Sequence, residues 1–119
     1  MFQKGSFTAP SDSSGFYLVK VIQARRVSTR RHALIGYFLR VVARQVVIRL
    51  VKFRKRRYRA IVVRSQAYFK KQDGMGYSFC NNSLVILKKR MNTLGRELYG
   101  PTARALKIRK FRVAFKVVF

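Results

Sequence analysis

The side chains from which a catalytic centre is assembled are scarce in this chain. Asp12, Asp73 and Glu97 are its only carboxylates, His32 its only histidine and Cys80 its only cysteine. General acid–base work needs a matched pair, nucleophilic catalysis needs a nucleophile with a base and an orienting group, and a metal centre needs three or four ligands. Asp73 precedes Gly74 in a hairpin signal, and Asp12 sits in the turn-forming stretch Ser11-Asp12-Ser13-Ser14-Gly15. Glu97 has Arg96 and Arg104 nearby in sequence, which points to an ion pair. Gly74-x-Gly76 and Gly95 lack both the strand–loop–helix setting and the following Lys-Ser/Thr of a phosphate-binding nucleotide loop. The expectation is therefore no catalytic residue, no metal and no cofactor.

What the residues can do is neutralise anions. The chain carries 28 Lys and Arg against 3 Asp and Glu, a formal charge of +25 over 119 residues. Self-repulsion on that scale disfavours a compact isolated monomer. A hydrophobic content of 49% nevertheless argues against disorder. Together these imply a polyanionic partner, with nucleic acid first and an anionic membrane surface as its competitor. A spanning helix is excluded, because Ala33 to Phe53 is interrupted by Arg40, Arg44, Arg49 and Lys52 and never reaches about 18 uncharged residues. A lone cysteine permits no internal disulfide and fits a reducing interior.

The densest basic run is Phe53-Arg54-Lys55-Arg56-Arg57-Tyr58-Arg59. It reads either as a solvated turn between strands or as a loop inserted among phosphates. With so few acids to form protein salt bridges, the second reading is preferred. The candidate nucleic-acid contacts on charge are Arg30, Arg31, Arg54, Lys55, Arg56, Arg57, Lys70, Lys71, Lys88, Lys89 and Arg90. Tyr58, between two arginines, is the candidate RNA-facing ring. Phe16, Phe38 and Phe79 are expected in the core.

The elements that must position these residues are mostly strands. After an extended start and the Ser/Asp/Gly turn, Phe16 to Gln23 is β-branched and apolar, with Lys20 isolated on it. A basic connection, Ala24 to His32, leads to a second strand over Leu34 to Val42, bent or started near Gly36. Apolar character continues through Val46 to Val51. The four-residue step of Arg40, Arg44 and Ile48 admits a helix there, whereas dense β-branching favours a strand. Arg59-Ala60-Ile61-Val62-Val63-Arg64 reads as a strand bracketed by arginines. Asp73-Gly74 turns a hairpin, and Ser83-Leu84-Val85-Ile86-Leu87 reads as a buried strand that Lys88-Lys89-Arg90 returns to the surface. Thr102 to Leu106 is expected to be helical after Pro101. The tail, Arg109 to Phe119, reads equally as a last strand or as an extension against a neighbour. The expected fold is mostly β: a small five-stranded β-barrel, closed to remove its edges, with one or two short helices near the C-terminal end. Residues 1–119 are expected to form one domain, the barrel over roughly 1–90 and a helical or loop part over roughly 91–119.

The order of these motifs resembles the universal large-subunit ribosomal protein fourteen family. The carrying residues are Arg59-Ala60-Ile61-Val62-Val63-Arg64, Asp73-Gly74, Phe79-x-x-Asn82-x-x-Val85-Ile86-Leu87 and Gly95-Arg96-x-x-Tyr99-Gly100-Pro101-x-Ala103-Arg104, with Lys110-Phe111 after them. Fainter echoes lie in Met1-x-Gln3, Asp12-Ser13-Ser14-Gly15, Val19-Lys20-Val21 and Arg30-Arg31-x-x-x-Ile35-Gly36. One departure is local: where the family usually has a Gly-Asp turn, this chain has Lys55-Arg56-Arg57.

The resemblance implies the same five-stranded barrel and adds Arg96 and Arg104 to the rRNA contacts. It implies a structural role in the large subunit, with large-subunit rRNA and neighbouring ribosomal proteins as partners. It further implies a reach to small-subunit rRNA as an intersubunit bridge, and a ribosome-silencing factor as a partner. Met1-Phe2-Gln3-Lys4-Gly5 aligns with the family's usual start, so no import signal is expected. Few acids, many Phe, Tyr, Lys and Arg and no leader suggest a mitochondrial ribosome over a plastid or bacterial one. The competing reading is a non-ribosomal basic protein that binds nucleic acid or a membrane surface.

Overall fold

The computed structural model describes residues 2–24, 33–46, 57–106 and 108–119. Among the described residues, seven strands run in chain order: β1 (Phe7–Thr8), β2 (Phe16–Ala24), β3 (Phe38–Val46), β4 (Arg57–Arg64), β5 (Phe69–Lys70), β6 (Gly76–Tyr77) and β7 (Ser83–Leu87). The described residues also hold a 3-10 turn (Lys89–Met91) and a helix, α1 (Arg109–Val113). Five strands form an antiparallel sheet in the order β1-β2-β3-β4-β7, and β5 and β6 form a separate hairpin. The strand or helix expected over the apolar stretch after Val46 falls outside the described residues.

The alternation of β2 and β3 follows from a sheet buried on one face. Val19 and Val21 of β2, and Leu39 and Val41 of β3, are fully buried, and Val21 stands opposite Val41 in the register. β4 and β7 depart from alternation because both of their faces are covered. Ala60 to Val63 and Leu84 to Leu87 are all buried. Cover for the second face comes from the chain after β7. Leu106, Phe111 and Phe115 belong to the same core, and Phe38 and Arg59 line one cleft with Met91, Leu106 and Ile108.

The small, mostly β architecture is the expected one, but the five strands do not close by a continuous ladder. Near the edges β1 and β7 the chain is joined by a parallel bridge, Pro10 to Leu84. β1 is two residues long, and Pro10 has no N–H to extend a ladder, so closure passes to other groups. Ser11 N–H donates to the Leu84 carbonyl at 3.0 Å, and the buried Asp12 carboxylate accepts the Ile86 N–H at 3.1 Å.

The expected helix over Thr102 to Leu106 is absent. Thr102 instead bridges Val118 in parallel, its N–H donating to Val117 and its hydroxyl to the Val63 carbonyl at 2.9 Å. A buried hydroxyl and a returning strand-like tail satisfy this backbone better than a helix could. Helix forms later, at α1, where Phe111 is the buried anchor. The tail thus pairs within the chain, the Phe119 N–H reaching the Thr102 carbonyl at 2.8 Å.

Candidate nucleic-acid interface

Each basic group is held by local geometry that decides whether it is free for a partner. The hairpin β5–β6 turns as its Asp-Gly signal requires. Asp73 Oδ1 accepts the Met75 N–H at 3.0 Å, and Gly74 takes a φ of +87°. Lys70 and Lys71 project from it, both exposed, with Lys71 Nζ 5.6 Å from the Tyr77 ring centre. After β7 the chain reverses over 88–92: Lys88 N–H donates to the Asn92 carbonyl, and Leu87 bridges Thr93. Arg90 and Met91 both adopt left-handed backbone, φ 61° and 62°. Two consecutive side-chain-bearing residues in this region store strain, a frequent mark of functional turns.

This reversal gathers charge from several elements. Lys88 and Arg90 are exposed on it. The Arg59 guanidinium lies 4.0 Å from the Met91 sulfur, and Lys110 Nζ of α1 bonds the Asn92 side-chain oxygen. Arg96 and Arg104 are exposed on separate segments, the latter beside the tail where its N–H donates to Phe119. Arg57 is exposed at the start of β4. Arg30, Arg31, Arg54, Lys55 and Arg56 lie outside the described residues, as does the side chain of Lys89. His32 lies outside them as well.

Of the basic residues on the strands, sequence reasoning named Arg57 and missed Lys20, Arg40 and Arg59. Arg40 stands directly opposite Arg59 across β3 and β4, and Lys20 and Arg57 flank Val42 on the next row. The signal was available: Lys20 alternates with buried Val19 and Val21, and Arg40 with buried Leu39 and Val41. A cation at period two must leave on the face opposite the core.

Two expectations are corrected. Tyr58 is half-buried and packs its ring edge-to-face on Phe16 at 5.0 Å, and burial pushes its hydroxyl pKa up, so it is no free stacking ring. The Glu97 carboxylate meets the Tyr99 hydroxyl at 3.4 Å, and among the described residues no arginine pairs with it. Arg64, by contrast, is a structural cation. It is 8% exposed, with Nε on the Asn81 side-chain oxygen at 3.2 Å and Nη1 on the carbonyls of Tyr99 at 2.7 Å and Pro101 at 3.3 Å. Desolvation by burial lowers its pKa. Phe16 is buried as expected, and Phe38 and Phe79 pack partly buried against the core.

Glycines let these segments close. Gly100 has φ +77°, and a Cβ there would overlap the Arg64 guanidinium. A Cβ on Gly95 would lie 2.8 Å from the backbone nitrogens of Ser13 and Ser14. The Gly95 to Pro101 stretch is thus fitted against Asp12 to Ser14 on one side and Arg64 on the other.

Among the described residues no group of three His, Cys, Asp or Glu could hold a metal, and no helix is long and apolar enough to cross a membrane. The arrangement is a packed β scaffold that displays cations on loops and on one sheet face, with no carboxylate paired to them among the described residues. A family model described as Ribosomal protein L14p/L23e matches residues 1–117, and the chain belongs to that family. Its members are structural, non-enzymatic constituents of the large ribosomal subunit.

Proposed function

We propose that this L14p/L23e-family chain binds large-subunit rRNA through its displayed lysines and arginines and contributes to an intersubunit bridge. The observation that carries this is the match over residues 1–117 in a chain of net charge +25. Arg57, Lys70, Lys71, Lys88, Arg90, Arg96 and Arg104 are all exposed, and the chain holds too few acids to pair them. Each phosphate neutralised releases condensed counterions, which supplies most of the affinity and makes it salt-dependent. Folded rRNA is read by backbone shape more than by base sequence. The basic run Arg54, Lys55, Arg56 and Arg57 and the pair Arg30 and Arg31 are proposed as further anchors.

The bridge to small-subunit rRNA, the flanking ribosomal proteins and a silencing factor follow as proposed partners from the family. The proposed compartment is the mitochondrial ribosome, on the deficit of acids and the abundance of Phe and Tyr beside Lys and Arg. A single domain over 1–119 is proposed on the continuity of the core from Phe2 to Phe115.

Sedimentation of source lysate on a high-salt gradient tests the reading. The chain is expected with the large subunit and the monosome and not with the free small subunit. Migration with DNA or membranes would replace it with a non-ribosomal basic protein. Replacing Arg54, Lys55, Arg56 and Arg57 together with Ala is expected to weaken incorporation; unchanged incorporation and bridge density would reject that run as an anchor.

A further inference from the structure

We infer that the outer face of β2–β3–β4 is an rRNA-backbone docking surface, centred on Arg40 and Arg59 gripping one phosphate between them. The inference rests on the rRNA-binding reading above and adds to it a surface built on strands rather than loops. Arg40 and Arg59 are register partners, so their side chains leave the same face as nearest cross-strand neighbours. On the adjacent row Lys20 opposes Val42, and Val42 opposes Arg57. Four cations thus share one face over three strands.

No carboxylate relieves them. All three acidic side chains of the chain are placed elsewhere: Asp12 buried against Ile86 and Ser14, Asp73 within the β5–β6 turn, and Glu97 beside Tyr99. Like charges set directly opposite each other in a sheet are destabilising. An anion between them would remove that repulsion, and the guanidinium fork matches a phosphate's paired oxygens. Arg59 is also held in place, its guanidinium resting near the Met91 sulfur, a neighbour that positions it without neutralising it. The next wall is the cleft of about 550 Å³ that Arg59 shares with Phe38 and Met91, so the basic face ends at an apolar ledge. A vesicle surface would be met by inserted apolar side chains; here the centre of the face is charged.

The test uses the full chain and the large-subunit rRNA of its source, titrated between about 50 and 200 mM salt. Arg40→Gln/Arg59→Gln is compared with Lys4→Gln/Lys116→Gln, two exposed lysines removed to give the same net charge. The first variant is expected to lose roughly tenfold in affinity and to lower the slope of log K against log salt by about one, the counterion release of one phosphate. The control is expected to stay within about twofold of the native chain. Each single variant should already show most of the loss, because two arginines on one phosphate act as a unit. The double variant should melt no lower than the native chain, which separates lost binding from lost fold. Native affinity and slope in the double variant, with rRNA preference intact, would overturn the docking surface and leave the ribosomal reading standing. Equal binding of the native chain to rRNA, duplex DNA and anionic vesicles would overturn both.

Discussion

The two ends of β4 carry the same residue type in opposite circumstances. At one end Arg64 is buried, with its guanidinium occupied by the Asn81 side chain and the Tyr99 and Pro101 carbonyls. At the other, Arg59 is exposed and faces another arginine across the sheet. Neither has a carboxylate partner. A buried cation survives because fixed carbonyl dipoles replace its water, and it then acts as a strut. An exposed cation opposed by another weighs slightly against the fold and is available to an external anion. The difference lies in which backbone oxygens the fold supplies nearby.

Breaking the strut should have the largest effect. Arg64→Ala is expected to destabilise the chain by about 2–4 kcal/mol, since charge-assisted bonds are lost and buried carbonyls are left unmet. Gly100→Ala should cost about 2 kcal/mol by forcing a Cβ into left-handed backbone and against the same guanidinium. Denaturant melts of the double variant should show less than the sum, because both substitutions break one network. Full additivity would mean that Arg64 and Gly100 act separately.

Asp12 sharpens the contrast from the acidic side. Asp12→Asn should cost about 1–3 kcal/mol, because an amide cannot satisfy both Ser14 and the Ile86 N–H. Burial outweighs its hydrogen bonds and raises its pKa above the usual 3.8. A raised carboxyl pKa means that the folded state binds the proton more tightly than the unfolded one. Its ionisation therefore weighs against the fold at neutral pH, and that penalty lifts as pH falls through the raised value towards 3.8. Relative to Asp12→Asn, the native chain should gain stability across that window in pH-dependent melts. A relative loss would reverse the assignment.

Smaller effects are expected at the exposed corner, with the opposite sign. Arg90→Gly should stabilise by about 1 kcal/mol by releasing left-handed strain, whereas Arg90→Val should destabilise. Arg59→Gln should raise stability by a few tenths, at most about 1 kcal/mol, by removing a like-charge pair. Both stabilising changes should weaken rRNA binding in the same samples. Residues that hold the fold and residues that hold a partner would then separate by the sign of their stability change.

Local chemistry made much of the scaffold legible. The β-branched runs at Arg59 to Arg64 and Ser83 to Leu87 are strands, and Asp73-Gly74 turns its hairpin through an Asx bond to Met75. Illegible were features decided by partners distant in sequence. Thr102 to Leu106 has a plausible helix start, yet the Val63 carbonyl and the returning tail hold Thr102 extended. Arg64 and Arg59 look alike in sequence, and only the placement of Tyr99 to Pro101 tells them apart. Asp12 looks like a turn residue, and its bond to Ile86 crosses 74 positions. On the basic side, the loop runs were legible as charge, whereas the Arg40–Arg59 pairing needed the register.

That 74-residue span also constrains how the chain is made. β1 and the Ser11 to Ser14 turn cannot satisfy their outer groups until β7 and the segment around Leu98 exist. At about 5–20 residues per second, several seconds separate the emergence of Asp12 from that of Ile86. Through that interval the N-terminal edge has no strand to meet. Closing so long a loop carries a chain-entropy cost that slows folding. The Pro10 seam should accordingly form last, after β2, β3 and β4 have paired, which makes seam formation the step most exposed to premature pairing with another chain.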